Sequence, residues 1–335
     1  MITAFQHVGI GVHDVDKTYR FWSKMLGFKV KLNDTVRYTD ELESIIGDLV
    51  EMREMMAMNV RGGGAIELVR HTSTEPLEPP APVEWGDIGI LEIGLKAYNL
   101  ETLREKLSQK GAEFVTGIHE ARFSDGGSYR NTYLRDPDGL LVNLVEEPGG
   151  GRAAVGGVRH VALGVTDLKR SRDFYSEIVG FNQVVHESDD EEVPEEISSG
   201  RKTKVAVLRQ PPELKSSLPL LEAGTLKLVQ TPDYKGKRTF EGRRWGDIGC
   251  MEFALDVTDL SRTYEEMIAR GAGECQAPTP VDMGSGSAGS VAYLKDPDGN
   301  FIEMVEVEKV MFVSPKVMKN VLVWPLRAAA KIGIA

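Results

Sequence analysis

The sequence predicts an α+β protein made of four βαβββ units in two tandem copies. Two observations carry that prediction: the chain repeats itself, and each repeat runs through the same order of elements twice. HVGIGVHDVDKTYRFWSKMLGF from His7 returns as HVALGVTDLKRSRDFYSEIVGF from His160, an offset of 153. WGDIGILEIGLKAYNLETLREKL from Trp85 returns as WGDIGCMEFALDVTDLSRTYEEM from Trp245, and YLRDPDGLLVNLVEE from Tyr133 as YLKDPDGNFIEMVEV from Tyr293, both at an offset of 160.

The elements follow from periodicity. Residues 5–12 alternate apolar with polar or small side chains, as a strand does, and Asp14 to Leu26 carries helical spacing that ends at Gly27. FKVKL, REMMAMNV and AIELVR then read as three strands, the last preceded by the GGG turn at 62–64. The order restarts with the strand ILEIGLKA, the helix NLETLREKLSQKG and the strands EFVTGI, YRNTYLR and LLVNLVEE. Four such units cover about 1–72, 85–147, 155–232 and 245–308. The offset change of seven falls in the second copy, which carries the acidic run ESDDEEVPEE (187–196) and the Pro-rich QPPELKSSLP (210–219). Both read as solvated loops or a mobile flap. A Gly-rich linker, EEPGGGRAAVGG, joins the copies near residues 147–157. The domains are therefore placed at 1–150 and 155–310, with a tail at 311–335. KVMFVSPKVMKNVLVWPLRAAAKIGIA, the last stretch, has five basic residues and no acidic one, and Lys319 and Pro325 break it, so it is expected to pack on the second domain or on a homodimer partner rather than to span a bilayer.

Composition narrows the function classes. With 40 Lys plus Arg against 51 Asp plus Glu, the net charge of −11 would repel phosphate backbones and anionic lipid, which argues against nucleic acid as a partner. Two cysteines, Cys250 and Cys275, form no CxxC pair, so neither a disulfide scaffold nor a cysteine zinc cluster is expected. MITAFQHVGIGV has no signal-peptide pattern, and a cytoplasmic setting is expected.

Paired βαβββ units, an opening strand of the form HVxxGVxDL and a closing DPDGxxIExVE hairpin resemble the vicinal oxygen chelate superfamily over residues 5–308. That group includes glyoxalase I, methylmalonyl-CoA epimerase, fosfomycin and bleomycin resistance proteins and type I extradiol dioxygenases. The resemblance implies two glyoxalase-like domains with cup-shaped mixed sheets and one divalent metal on a cup floor, held by the first and last strands of the units. By position the first-strand ligands are His7 and His160, with Glu92 and Glu252 where the family usually has a second His. The last-strand positions are Glu67, Asn143, Lys227 and Glu303. Closing each copy on itself gives His7/Glu67/Glu92/Asn143 and His160/Lys227/Glu252/Glu303. Exchanging halves gives His7/Glu67/Glu252/Glu303 and His160/Lys227/Glu92/Asn143.

Residue chemistry supports a metal reading. Glu67, Glu252 and Glu303 lie in the middle of apolar strands, where a carboxylate is costly unless paired or metal-bound. Such O/N donors suit Zn, Mn, Fe, Co or Ni. In the exchanged pairing Lys227 would repel a cation from the second site, which favours one site of His7, Glu67, Glu252 and Glu303, with His160, Glu252 and Glu303 as the rival. His13, His71, His119 and His186 are read as surface residues. The implied activity is a metal-dependent isomerase, epimerase or lyase on a small polyoxygenated or α-hydroxycarbonyl substrate, through a metal-stabilised enolate with Glu67 as the base. The alternatives are an extradiol-type dioxygenase, which would want a further His near MGSGSAGSVAYL, and a non-catalytic binding or resistance protein. MGSGSAGS itself reads as a flexible lid.

Overall fold

The computed structural model describes residues 1–122, 128–149, 151–216, 218–284 and 286–310; the tail reading falls outside them. Unit one runs β1 (Ile2–Gly11), α1 (Val15–Lys24), β2 (Val30–Tyr38), the single-turn α2 (Glu43–Ile46), β3 (Glu51–Met58) and β4 (Ala65–His71). Unit two holds β5 (Gly89–Tyr98), α3 (Leu100–Gln109), β6 (His119–Arg122), β7 (Ser128–Arg135) and β8 (Leu141–Glu146). Unit three holds β9 (Ala154–Gly164), α4 (Leu168–Glu177), β10 (Gln183–Ser188), the short α5 (Glu195–Ser198), β11 (Lys204–Arg209) and β12 (Thr225–Gln230). Unit four closes with β13 (Gly249–Val257), α6 (Leu260–Ala269), β14 (Gly273–Gly284), β15 (Ser287–Lys295) and β16 (Phe301–Lys309).

Local chemistry sets these boundaries. Asp14 and Asp167 cap α1 and α4 by accepting the N–H of Lys17 and Arg170, each at 2.9 Å. In the two DPDG turns, Asp136 accepts the N–H groups of Asp138 and Leu140, while Asp296 accepts those of Asp298 and Asn300. The predicted strand EFVTGI is not one. Val115 bonds Tyr133 O at 2.7 Å, but the Tyr133 N–H turns to the Thr116 hydroxyl at 3.2 Å, so a side chain replaces the ladder and the strand begins later, at His119.

The sixteen strands form two eight-stranded mixed sheets that exchange halves between the copies. One has the order β14-β15-β16-β13-β1-β4-β3-β2, the other β10-β11-β12-β9-β5-β8-β7-β6. Unit one thus shares a sheet with unit four, and unit two with unit three. The join in the first sheet is antiparallel β1 against β13, with Gly9 opposite Glu252. A side chain at Gly9 would meet the Glu252 carboxylate at 2.7 Å, so glycine there makes room for it. Strand faces pointing away from the cups share one core with the four long helices, in which Phe5 stacks on Phe253 at 5.8 Å. The first sheet curls until its edges meet, where Asn33 of β2 donates to Met283 O of β14 at 3.1 Å. Residues of MGSGSAGS form the β14–β15 hairpin rather than a separate lid, Ser285 lying outside the described residues. Among the described residues no helix is long and apolar enough to cross a membrane.

Candidate metal centre

Alternation along β1 turns His7 into the first cup while Val8 joins the core. The His7 Nδ1–H donates to Gln6 Oε1 at 2.7 Å, which leaves Nε2 facing the carboxylates of Glu303 at 3.1 Å and Glu67 at 3.5 Å. From β13, Glu252 is fully buried and accepts the Trp245 indole N–H at 2.7 Å through Oε2. From β16, Glu303 accepts the Tyr293 hydroxyl at 3.0 Å through Oε1. Each carboxylate is thus anchored by one oxygen and presents the other. Glu252 Oε1, Glu303 Oε2 and His7 Nε2 are all buried without a hydrogen-bond partner, and His7, Glu67 and Glu252 offer ligand atoms within 4.8 Å of one another.

Three carboxylates and one imidazole leave the cluster short of positive charge, and its protons reflect that. Burial would depress His7, but Glu67 and Glu303 lift it well above the usual imidazole range. Burial, and then the neighbouring Glu303, push Glu252 far up. A divalent cation fits these donors: it would partner the orphaned atoms and supply the missing charge that protons now supply.

The second cup has the same plan and a different outcome. His160 Nε2 lies 2.8 Å from Glu92 Oε1, the Asn143 amide donates to that oxygen at 3.1 Å, and the Lys227 ammonium stands 3.7 Å from it and 4.9 Å over the Trp85 ring. Burial would raise Glu92, yet Lys227, followed by His160, lowers it to about 2. Burial also lowers His160. Of the six residues picked out as metal ligands, the structure brings His7, Glu67, Glu252 and Glu303 together and sets His160 with Glu92 in the other cup, against an ammonium.

Sequence reasoning passed over Glu54, which lines the first cup, receives Arg37 Nε at 3.2 Å and is pushed up to about 7 by burial. Its signal was the one used for Glu67, a carboxylate alternating with Met56 and Met58 on one strand face. His71 and His186 are buried, not surface residues: His71 donates to Trp245 O at 2.9 Å, and His186 meets Glu191 at 2.8 Å. Through Trp245, His71 helps position Glu252.

Two family models, both described as the glyoxalase/bleomycin resistance protein/dioxygenase superfamily, match residues 6–129 and 157–304. The chain belongs to this superfamily. Among curated members, a lactoylglutathione lyase of Arabidopsis thaliana is 30% identical over 150 residues, 44% of this chain and 43% of that one. A putative lactoylglutathione lyase of Brassica oleracea var. gemmifera is 31% identical over the same shares. The match thus spans less than half the length of these relatives. Among solved structures, a glyoxalase I variant of Zea mays superposes with a TM-score of 0.61 at 19% identity, covering 90% of this chain and 93% of that one. A putative dioxygenase of Bacillus subtilis gives 0.60 at 13% identity, covering 100% and 97%. At these identities the superfamily members share the fold.

Proposed function

We propose that the chain is a metal-dependent lyase or isomerase with one active cup, in which His7, Glu67, Glu252 and Glu303 hold a single divalent cation. The observation that carries this is the convergence of three buried donor atoms beside Glu67: His7 Nε2 and Glu303 Oε2, which meet at 3.1 Å, and Glu252 Oε1, which has no hydrogen-bond partner. A cation held there would supply Lewis acidity, making a C–H beside the carbonyl of an α-hydroxycarbonyl compound easier to ionise. The protein's own part is positioning and proton transfer. Gln6 fixes the His7 ring, Trp245 fixes Glu252 and Tyr293 fixes Glu303. Glu67 has a side chain 13% exposed, against 7% for Glu303, so it is the carboxylate nearest the open cup and serves as the base. Glu54, with Arg37 behind it, offers a second place for a proton. Among the described residues His7 is the only imidazole lining this cup, which supports enolate chemistry over the two-histidine iron set expected for ring cleavage. The name of the plant relatives, lactoylglutathione lyase, supports the lyase class.

Metal analysis of purified protein tests the reading. His7→Ala is expected to lose the metal and the activity, whereas His160→Ala keeps about one metal per chain. Metal retained by His7→Ala, or lost equally from both variants, would refute it.

A further inference from the structure

Beyond the four site residues, the first cup has its polar side chains already committed. The Asn33 amide goes to Met283 O at 3.1 Å and its oxygen to the Met56 N–H at 2.6 Å. Gln6 is taken by His7, Trp245 by Glu252 and Tyr293 by Glu303. Arg37, the one cation among the described lining residues, is shared between Glu41 and Glu54. The walls that remain are apolar: Met56, Met58 and Val281, with Leu218, Pro219 and Leu221.

The last three come from the opposite copy. The β11–β12 connection, of which 210–216 and 218–224 are described, replaces the short turn at 59–64 between β3 and β4; Pro212, Glu213 and Lys215 are exposed, as a solvated loop would be, whereas Leu218, Pro219 and Leu221 form a wall of the cup. It is firmly set. Leu220 holds φ at 75°, a conformation that a leucine keeps only where its surroundings impose it, and its carbonyl accepts the Gly63 N–H at 2.9 Å. Phe5 N–H donates to Glu222 O at 3.0 Å, and the Ser216 hydroxyl to Asp256 at 2.7 Å. About 130 Å³ stays open between these walls, a little less than the cavity of about 150 Å³ that encloses a benzene ring, so one ring or a short alkyl group reaching the open mouth is the largest body the cup takes.

We propose that the substrate is a compact α-hydroxycarbonyl compound whose body beyond its two oxygens is neutral and apolar, about one ring or a short branched alkyl group, and that the cup rejects a glutathione adduct. This rests on the metal-site reading above. A glutathione adduct brings two carboxylates and an ammonium, and burying them against these walls leaves them without partners. The reaction needs no outside oxidant or reductant. Glu67 takes the proton from the carbon bearing the hydroxyl, the electron pair shifts towards the neighbouring carbonyl, the hydroxyl proton passes by way of Glu54 from the first oxygen to the second, and Glu67 returns its proton to the second carbon, so the hydroxyl and carbonyl exchange places.

Calorimetric titration of metal-loaded protein with 2-hydroxyacetophenone, dihydroxyacetone and S-lactoylglutathione tests the proposal. The aryl ketone is expected to bind at least tenfold more tightly than dihydroxyacetone, with S-lactoylglutathione weakest. Leu221→Arg, or Met58→Lys should that variant not fold, is expected to cut aryl-ketone affinity at least tenfold at unchanged metal content. Tightest binding of S-lactoylglutathione, or unaltered aryl-ketone binding in a folded wall variant, overturns it. If the wild-type protein takes up no metal, the catalytic reading fails by itself. The walls are then judged in metal-free protein, where equal binding of the aryl ketone and dihydroxyacetone overturns the proposal.

Discussion

The two cups occupy corresponding places in the repeat, yet Glu67 of the first stands where the second has Lys227, and Glu303 where it has Asn143. Three carboxylates surround His7, whereas one carboxylate, one ammonium and one amide surround His160. Charge separates them: the first cluster is short of positive charge, and the second carries its own on a side chain. Space agrees with charge. Beside His160 and Lys227, where Tyr129, Arg159 and Thr225 crowd in, about 20 Å³ stays open, against about 130 Å³ beside His7, although a separate cleft of about 680 Å³ reaches Glu92 and Trp85. Duplication thus supplied one scaffold twice, and two differences in the floor, Glu67 against Lys227 and Glu303 against Asn143, set the charge of each cup.

Removing the internal cation should have the largest effect. Lys227→Ala strands the fully buried Glu92 without its ammonium, and breaking a buried pair in this way costs about 3–5 kcal/mol. In the first cup the two effects offset, since Glu67→Ala in metal-free protein removes a partner of His7 but relieves repulsion on Glu54 and Glu252, and it is expected to cost less than about 1 kcal/mol. Urea unfolding in the presence of a chelator reads both variants, and equal losses would erase the distinction between the cups.

Acidity gives a second way to separate them, with opposite signs. Glu92 sits at about 2 against an ordinary 4.5, so its contribution is full above pH 4.5 and is lost as pH falls towards 2. Glu54, at about 7, keeps a proton that the unfolded chain has released; its contribution is full below about pH 4.5 and is lost as pH rises to 7. His7, also raised, adds stability that is lost as pH climbs past its folded value. Metal-free protein should therefore lose at least about 3 kcal/mol between pH 4.5 and 8, with Glu252 and, outside the cup, buried Asp136 adding to the decline, and a bound divalent cation should remove the part that comes from the cup. Thermal unfolding across this range checks it, and a flat metal-free profile would show that the first cup is not short of positive charge.

Much of this contrast could be read from residue types before any coordinates. Duplicated motifs place His7 with His160 and Glu252 with Glu92, and a lysine at 227 cannot share a floor with a divalent ion, which favours the exchanged pairing that the sheets adopt. What stayed hidden depends on contacts across the chain. Nothing near Leu218 and Pro219 indicates that they close a cup built by units one and four rather than by their own unit, and a Pro-rich, polar stretch reads as solvated by composition. Glu54 was missed for another reason: the second copy has Val205 at the matching place, so duplication, the strongest filter available, points away from it. Thr116 ends a predicted strand through a hydroxyl that periodicity does not weigh.

The smallest effect concerns a single hydroxyl and tests whether the first floor is pre-set for a cation. Tyr293 is almost fully buried and packs edge-on against Phe301 at 6.5 Å, so Tyr293→Phe keeps the ring and removes only the donor to Glu303 Oε1. Glu303 then loses the bond that aims its other oxygen at His7. Hydrogen bonds behind a ligand are worth at least about tenfold in metal affinity, so a tenfold loss is expected with a change in metal-free stability under about 1 kcal/mol. Tyr133 holds the matching place in the second cup, where its hydroxyl meets Asn131 at 3.4 Å, and Tyr133→Phe should leave metal affinity unchanged. Competition against a chelating dye measures both. Equal losses would mean that the hydroxyls act by stiffening the whole fold, whereas a loss confined to Tyr293→Phe ties metal affinity to the aim of one carboxylate.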